Sequence, residues 1–290
     1  MTSRAATLVG LSAILMWSLL AVLTVATGRI PAFQLLAMTF AIGAVAASGN
    51  WIGRPAAIRA LKQPLKAWAV GVGGLFGYHA LYFVALRLAP PAEAGLLNYL
   101  WPLLIVLLSS LLPGERLAIH HIIGAVLGLA GTALLLAGNS PAHFEPAHGE
   151  GLAAAFVAAF VWAGYSVMSR KFKSVPTDAV AGFCLVTALL ALVVHLAFEA
   201  TVWPESIGQW LAIAALGVGP VGAAFYAWDI GMKRGDIRVL GAASYATPLL
   251  STGFLIIAGF ATPSATIAVA AALIAGGGLI AAKDMIGRRS

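Results

Sequence analysis

Gly95, Asn98, Tyr99 and Pro102 return 146 residues later as Gly241, Ser244, Tyr245 and Pro248. At the α-helical period each quartet falls on one face of a helix. A proline inside a helix removes a backbone hydrogen bond and kinks the chain. Inside a membrane this is tolerated only where neighbours or a cavity satisfy the freed carbonyl. Two matched kinks, each with a polar and an aromatic side chain, are suited to wall a central site. Asn98, Tyr99, Ser244 and Tyr245 are therefore substrate-binding candidates, and Gly95, Pro102, Gly241 and Pro248 are candidate hinges. The plainer alternative is a structural kink whose polar groups face neighbouring helices.

A second pattern lies upstream. Gly71, Gly74, Tyr78 and Tyr82 run down one face, with His79 beside them. Its counterpart holds Gly219, Gly222, Tyr226 and Asp229, with Trp228 in register with Tyr82. Glycines let backbones approach and aromatic rings make a rigid wall. His79 lies near the middle of an apolar segment, where an ionisable group must face a cavity or a partner. Three roles are open to it: binding a carboxylate, relaying a proton near neutral pH, or bonding a backbone carbonyl as a neutral ring. Trp17 and Trp162, in register at an offset of 145, and Trp101 complete the binding candidates. His120 and His121 are expected at the membrane interface and His195 in a structural role. Gly124, Gly128, Gly131, Gly276, Gly277 and Gly278 are expected in close helix packing.

The same inventory argues against an enzyme. His79 has no Ser, Cys or Asp partner at helical spacing, and no HExxH motif occurs. The single cysteine, Cys184, cannot form an internal disulfide, and no Cys/His cluster has metal-ligand spacing. No metal or cofactor is expected. A channel would call for a ring of charges or a carbonyl filter, and neither is present.

These residues sit in a chain built for lipid. Of its 290 residues, 61% are hydrophobic and 9% charged, against about 25% charged in soluble domains. Mean hydropathy is +0.96. Apolar runs of roughly 20 residues, the length that crosses a bilayer, predict ten spans near 7–27, 32–52, 66–86, 92–112, 118–138, 150–169, 177–199, 207–231, 238–260 and 264–283. The first is read as part of the fold and not as a signal peptide, because the second half carries its counterpart. With these boundaries all but Arg29 and Arg87 of the 17 basic residues fall on one side. The Lys/Arg bias places both termini in the cytoplasm; the expected location is a bacterial-type inner membrane. The bias also accounts for the net charge of +7 without a nucleic-acid partner. The acidic residues Glu93, Glu145, Glu150, Glu199 and Glu205 fall outside, Asp229 lies near the cytoplasmic end of its span, and no membrane-buried carboxylate is expected.

Each half, 1–140 and 148–290, holds five predicted spans. An odd number turns the second repeat upside down, the arrangement of secondary transporters. The expected fold is an all-α membrane protein of ten transmembrane helices, two inverted five-helix repeats around a central cavity, working as a monomer.

Ten spans in a five-plus-five inverted repeat, with paired Gly-x-x-(Asn/Ser)-Tyr-x-x-Pro-Leu-Leu motifs, resemble the EamA-type branch of the drug/metabolite transporter superfamily. The aromatic density around the fourth span is similar to that of its YddG-type aromatic amino-acid exporters. The resemblance implies a basket of helices around a cavity, with the fifth and tenth spans set aside. Small multidrug exporters of that superfamily use a first-span glutamate for cations and protons. Here Leu8 to Thr27 contains no acid and carries Trp17 instead. Aromatics, Asn98, Ser244 and one histidine suit a zwitterion with an apolar side chain. The expected function is export of aromatic and other neutral amino acids by alternating access, with export of another small metabolite or drug as the alternative. Facilitated diffusion and histidine-mediated proton coupling both stay open.

Overall fold

The computed structural model describes residues 1–137, 145–259 and 262–284. The proposed boundary at 140, Arg288 and Arg289 lie outside the described residues. In chain order the helices are α1 (Ser3–Ala26), α2 (Ala32–Ser48), α3 (Leu65–Leu88), α4 (Pro91–Ser109), α5 (Ile119–Ala137), α6 (Pro146–Lys171), α7 (Thr177–Phe198), α8 (Ile207–Arg234), α9 (Ile237–Ile257) and α10 (Ala265–Ala281). Among the described residues, eight are long and apolar enough to cross a bilayer, while α2 and α10 are shorter apolar helices of 17 residues. The chain is a multi-pass membrane protein.

Hydrogen bonds and ion pairs sort the connections into two ends. At one end Asp236 donates its N–H to Thr7 near the N-terminus, Arg54 pairs with Asp178, Arg170 with Glu115, and His120 with Asp284. This is the end that carries most of the basic residues. Asp236 also caps α9, accepting the Arg238 and Val239 N–H groups. Burial pushes its carboxyl up, but Arg238 and these N–H groups outweigh that and hold it below the usual carboxylate range. At the opposite end Glu199 accepts the free N–H groups of Phe33 and Gln34 at the start of α2, both at 3.1 Å, and meets His195 at 3.0 Å and Arg87 at 3.4 Å. His195 is thus structural, as expected.

Small residues set the closest approaches. Gly10 of α1 faces Gly231 of α8, so that a Cβ on Gly231 would lie 2.7 Å from the Gly10 Cα. α10 lies along α5 through Gly277 and Gly124, where an added Cβ on either would meet the other's carbonyl oxygen at 2.5 Å. Gly128 and Gly131 are equally crowded, but Gly276 and Gly278 have open space where a Cβ would go. The run of three glycines was expected to pack as a unit. Only Gly277 does so, because neighbours at one-residue spacing point to different faces. His121, at the start of α5, is buried within the protein, and its Nδ1 accepts the Ala118 N–H at 3.1 Å.

The helices near the middle of the bundle are irregular. α1 is interrupted after Trp17 and resumes at Leu20. α4 breaks between Asn98 and Trp101, and α9 between Ala243 and Ala246. α3 and α8 each contain a π-helical stretch, Gly73–Gly77 and Gly217–Ala223.

The glycine geometry yields a stability prediction. Gly277→Leu overpacks the α5–α10 seam and costs about 1–3 kcal/mol or more. Thermal unfolding in detergent should show a clear drop in Tm for Gly277→Leu and little change for Gly276→Leu.

Candidate functional site

The interruptions converge on one cavity of about 190 Å³. Eight predicted residues line it: Trp17 from α1, Tyr78, His79 and Tyr82 from α3, Asn98, Tyr99 and Trp101 from α4, and Trp162 from α6. A second lobe of about 390 Å³ shares Tyr78, His79 and Tyr82 and runs between α1, α2, α3 and α8 past Thr24 and Ile30. Those two residues flank the α1–α2 connection, so the lobe leads to the end opposite the basic one. Among the described residues no charged side chain lines either lobe.

The rings hold one another at edge and tilted geometries. Trp17 lies 5.5 Å from Trp162 and 5.0 Å from Trp228, and Trp101 lies 6.2 and 6.1 Å from the same two rings. Tyr78 tilts against Trp162 at 5.1 Å and stacks on Tyr82 at 6.1 Å. Such pairs add about 0.5–1.5 kcal/mol each beyond burial. Trp228 is fully buried and donates its indole N–H to Ser166 at 3.1 Å, which makes it the floor beneath the cavity.

Polar atoms are fixed by the irregular backbone. The Trp17 indole N–H donates to the Pro220 carbonyl at 2.9 Å, inside the π-helical stretch of α8. His79 Nδ1 lies 2.7 Å from the Leu75 carbonyl. A carbonyl only accepts, so Nδ1 carries the hydrogen, and Nε2 of the neutral ring is an acceptor. The Asn98 amide donates to the Tyr78 hydroxyl at 3.1 Å. Asn98 Oδ1 and Thr247 Oγ1 have no hydrogen-bond partner among the described residues.

Ser244 and Tyr245 are not brought to the cavity. Both are fully buried. Ser244 donates its hydroxyl to the Leu240 carbonyl at 2.7 Å, within its own helix. The Tyr245 ring fills the space left by Gly128 of α5, and its hydroxyl accepts the Leu103 N–H at 3.2 Å, at the point where α4 resumes. Gly95 lies beside Leu136 of α5, and Gly241 packs against α4 near the Pro102 carbonyl. The four hinge candidates flank the two helix breaks. Tyr226 turns away from the cavity, with its hydroxyl donating to Asp178. Asp229 is buried, contrary to expectation, and is paired with Lys233 at 2.8 Å and bonded by the Thr177 hydroxyl at 2.6 Å.

Phe225, Thr247, Pro220, Val221 and Leu20 line the cavity without having been singled out. The signal for three of them was in the repeat. At an offset of 146, His79 corresponds to Phe225, Trp101 to Thr247 and Gly74 to Pro220.

Toward the basic end the path is shut. Below Trp162 lies Tyr165, with ring centres 5.3 Å apart. Further out Glu115, between α4 and α5, meets Arg170 at the end of α6 at 3.1 Å and Arg238 of α9 at 3.6 Å. Arg170 also donates to the Gly235 carbonyl at 2.6 Å. One carboxylate thus ties three connections over the closed path.

The model of the EamA-like transporter family matches this chain twice, over residues 4–137 and 149–283. The aromatic amino acid exporter YddG of Ancylobacter novellus is 54% identical over 282 residues, 97% of this chain and 98% of that protein. The protein of that name from Escherichia coli K12 is 27% identical over 307 residues, 97% of each chain. A solved crystal structure superposes with a TM-score of 0.94 at 53% identity, covering 99% of this chain and 100% of the other. The chain belongs to the EamA-like transporter family.

Proposed function

We propose that this protein exports aromatic and other neutral amino acids by alternating access, taking substrate from the cytoplasm and releasing it at the end to which the cavity now leads. The observation that carries this reading is the cavity itself, walled by tryptophan, tyrosine and phenylalanine rings with no charged side chain. An indole or phenyl group stacks there, while Tyr and Thr hydroxyls, the Asn98 amide and His79 Nε2 meet the polar end. Both named relatives above are aromatic amino acid exporters. His79, in its neutral form, accepts a hydrogen bond from the substrate ammonium.

In this reading all ten helices cross an inner membrane, with both termini in the cytoplasm. Residues 1–140 and 148–290 form inverted repeats, and one chain is the working unit. The two separate family matches and the paired breaks at the same place in α4 and α9 support the repeat. The Lys/Arg bias supports the orientation.

Purified protein in liposomes should take up labelled tryptophan saturably, with phenylalanine and tyrosine as competitors. Absence of such flux from folded protein would overturn the substrate assignment. Trp162→Ala removes the ring shared by both faces of the aromatic wall and should raise KM about tenfold, the equivalent of about 1.4 kcal/mol. His79→Ala should lower kcat/KM by a similar factor, whereas unchanged transport would remove His79 from the site.

A further inference from the structure

A small cavity of about 20 Å³, the size of a single water site, lies on the basic side of the aromatic floor. It is lined by Tyr165, Ser169, Val175, Asp229 and Lys233, among others. Its lining repeats that of the large lobe on the other side. Thr24 and Ile30 of the open lobe correspond to Ser169 and Val175 at an offset of 145, and Phe83 corresponds to Asp229 at 146. The helices correspond as well: the large lobe lies between α1, α2, α3 and α8, and the small one between α6, α7, α8 and α3. The small cavity is the large lobe's counterpart in its collapsed form.

The counterparts differ in charge. Lys233 corresponds to Arg87 at an offset of 146. Arg87, on the open side, has 59% of its side chain exposed, whereas the side chains of Lys233 and Asp229 are only 5% and 4% exposed. Lys233 donates to Asp229 and to the Val175 carbonyl, both at 2.8 Å. Buried charges are tolerated because they neutralise each other and keep further hydrogen bonds. When the two sides exchange states, the cavity opens as the large lobe is open now. Lys233 then lines a water-filled vestibule and loses its carbonyl partner.

We propose that Asp229 and Lys233 form the receiving site for a zwitterion on the basic side, Lys233 binding the α-carboxylate and Asp229 the α-ammonium. The proposal rests on the amino-acid export reading and on the inverted repeat. An ammonium and a carboxylate fixed one helical turn apart match the two poles of any free amino acid, whatever its side chain. The central cavity, with no charge of its own, then selects the side chain. Tyr165 and Trp228 lie between the two and hand the substrate from one to the other. The alternative is an ion pair that only pins α8 to the α6–α7 connection through Thr177 and Val175.

The double variant Asp229→Asn/Lys233→Met removes both charges and keeps the volume. Tryptophan transport is measured in vesicles of both orientations. The KM for substrate presented at the basic side should rise about tenfold or more, while the KM from the opposite side stays at its wild-type value, which also reports a folded protein. An unchanged KM at the basic side, or an equal change from both sides, overturns the proposal. If the wild type carries no tryptophan from either side, the export reading fails instead. The vestibule itself is then judged separately by Ser169→Cys in a Cys184→Ala background. A membrane-impermeant maleimide should label it from the basic side, and no labelling overturns the vestibule.

Discussion

Backbone groups inside a bilayer have no water to bond, so an irregular helix survives there only if something else satisfies what it frees. That constraint organises this protein. α1, α3, α4, α8 and α9 all depart from regular helix near the cavity. Side chains of the site and its surroundings bond the backbone there: Trp17 donates to the Pro220 carbonyl, His79 is a second donor to the Leu75 carbonyl, which also takes the Tyr78 N–H, and Tyr245 accepts the Leu103 N–H. The aromatic wall is therefore held in place by the backbone it lines. α6 is uninterrupted and offers Trp162 from a rigid element, against which the other rings are arranged.

From this follows the asymmetry between the ends. The rings of Trp17, Trp101, Trp162 and Trp228 close into a floor. Below it Glu115, Arg170 and Arg238 join three connections by ion pairs, with each side chain only about a fifth exposed. At the opposite end a single carboxylate, Glu199, likewise joins three helices, α2, α3 and α7. In the alternating-access reading proposed above, a closure made of ring contacts and separate ion pairs is one that can be undone stepwise.

Much of this was legible in the sequence. Segment length and hydropathy predicted ten spans, and among the described residues eight helices are long and apolar enough to cross a bilayer, with two shorter apolar helices at the remaining places. The repeat offset matched Trp17 with Trp162, which stand together at the cavity. At the site, equivalence in sequence was taken as equivalence in surroundings, yet equivalent residues of the two halves are buried differently. Tyr99 lines the cavity, while its counterpart Tyr245 is packed on Gly128. Conversely, Phe225 and Thr247 were reachable by applying the offset to His79 and Trp101, but neither residue type attracts notice in an apolar helix. The burial of Asp229 was hidden because its neutralising partner, Lys233, lies one turn away and reads as an interfacial charge.

The central claim is that the neutral aromatic cavity is where substrate sits. The most direct test is a structure determined with tryptophan bound. The account predicts an indole against Trp162 and Tyr78, with the amino-acid end toward Asn98, Thr247 and His79. Tryptophan found elsewhere, with this cavity holding only water, would contradict it.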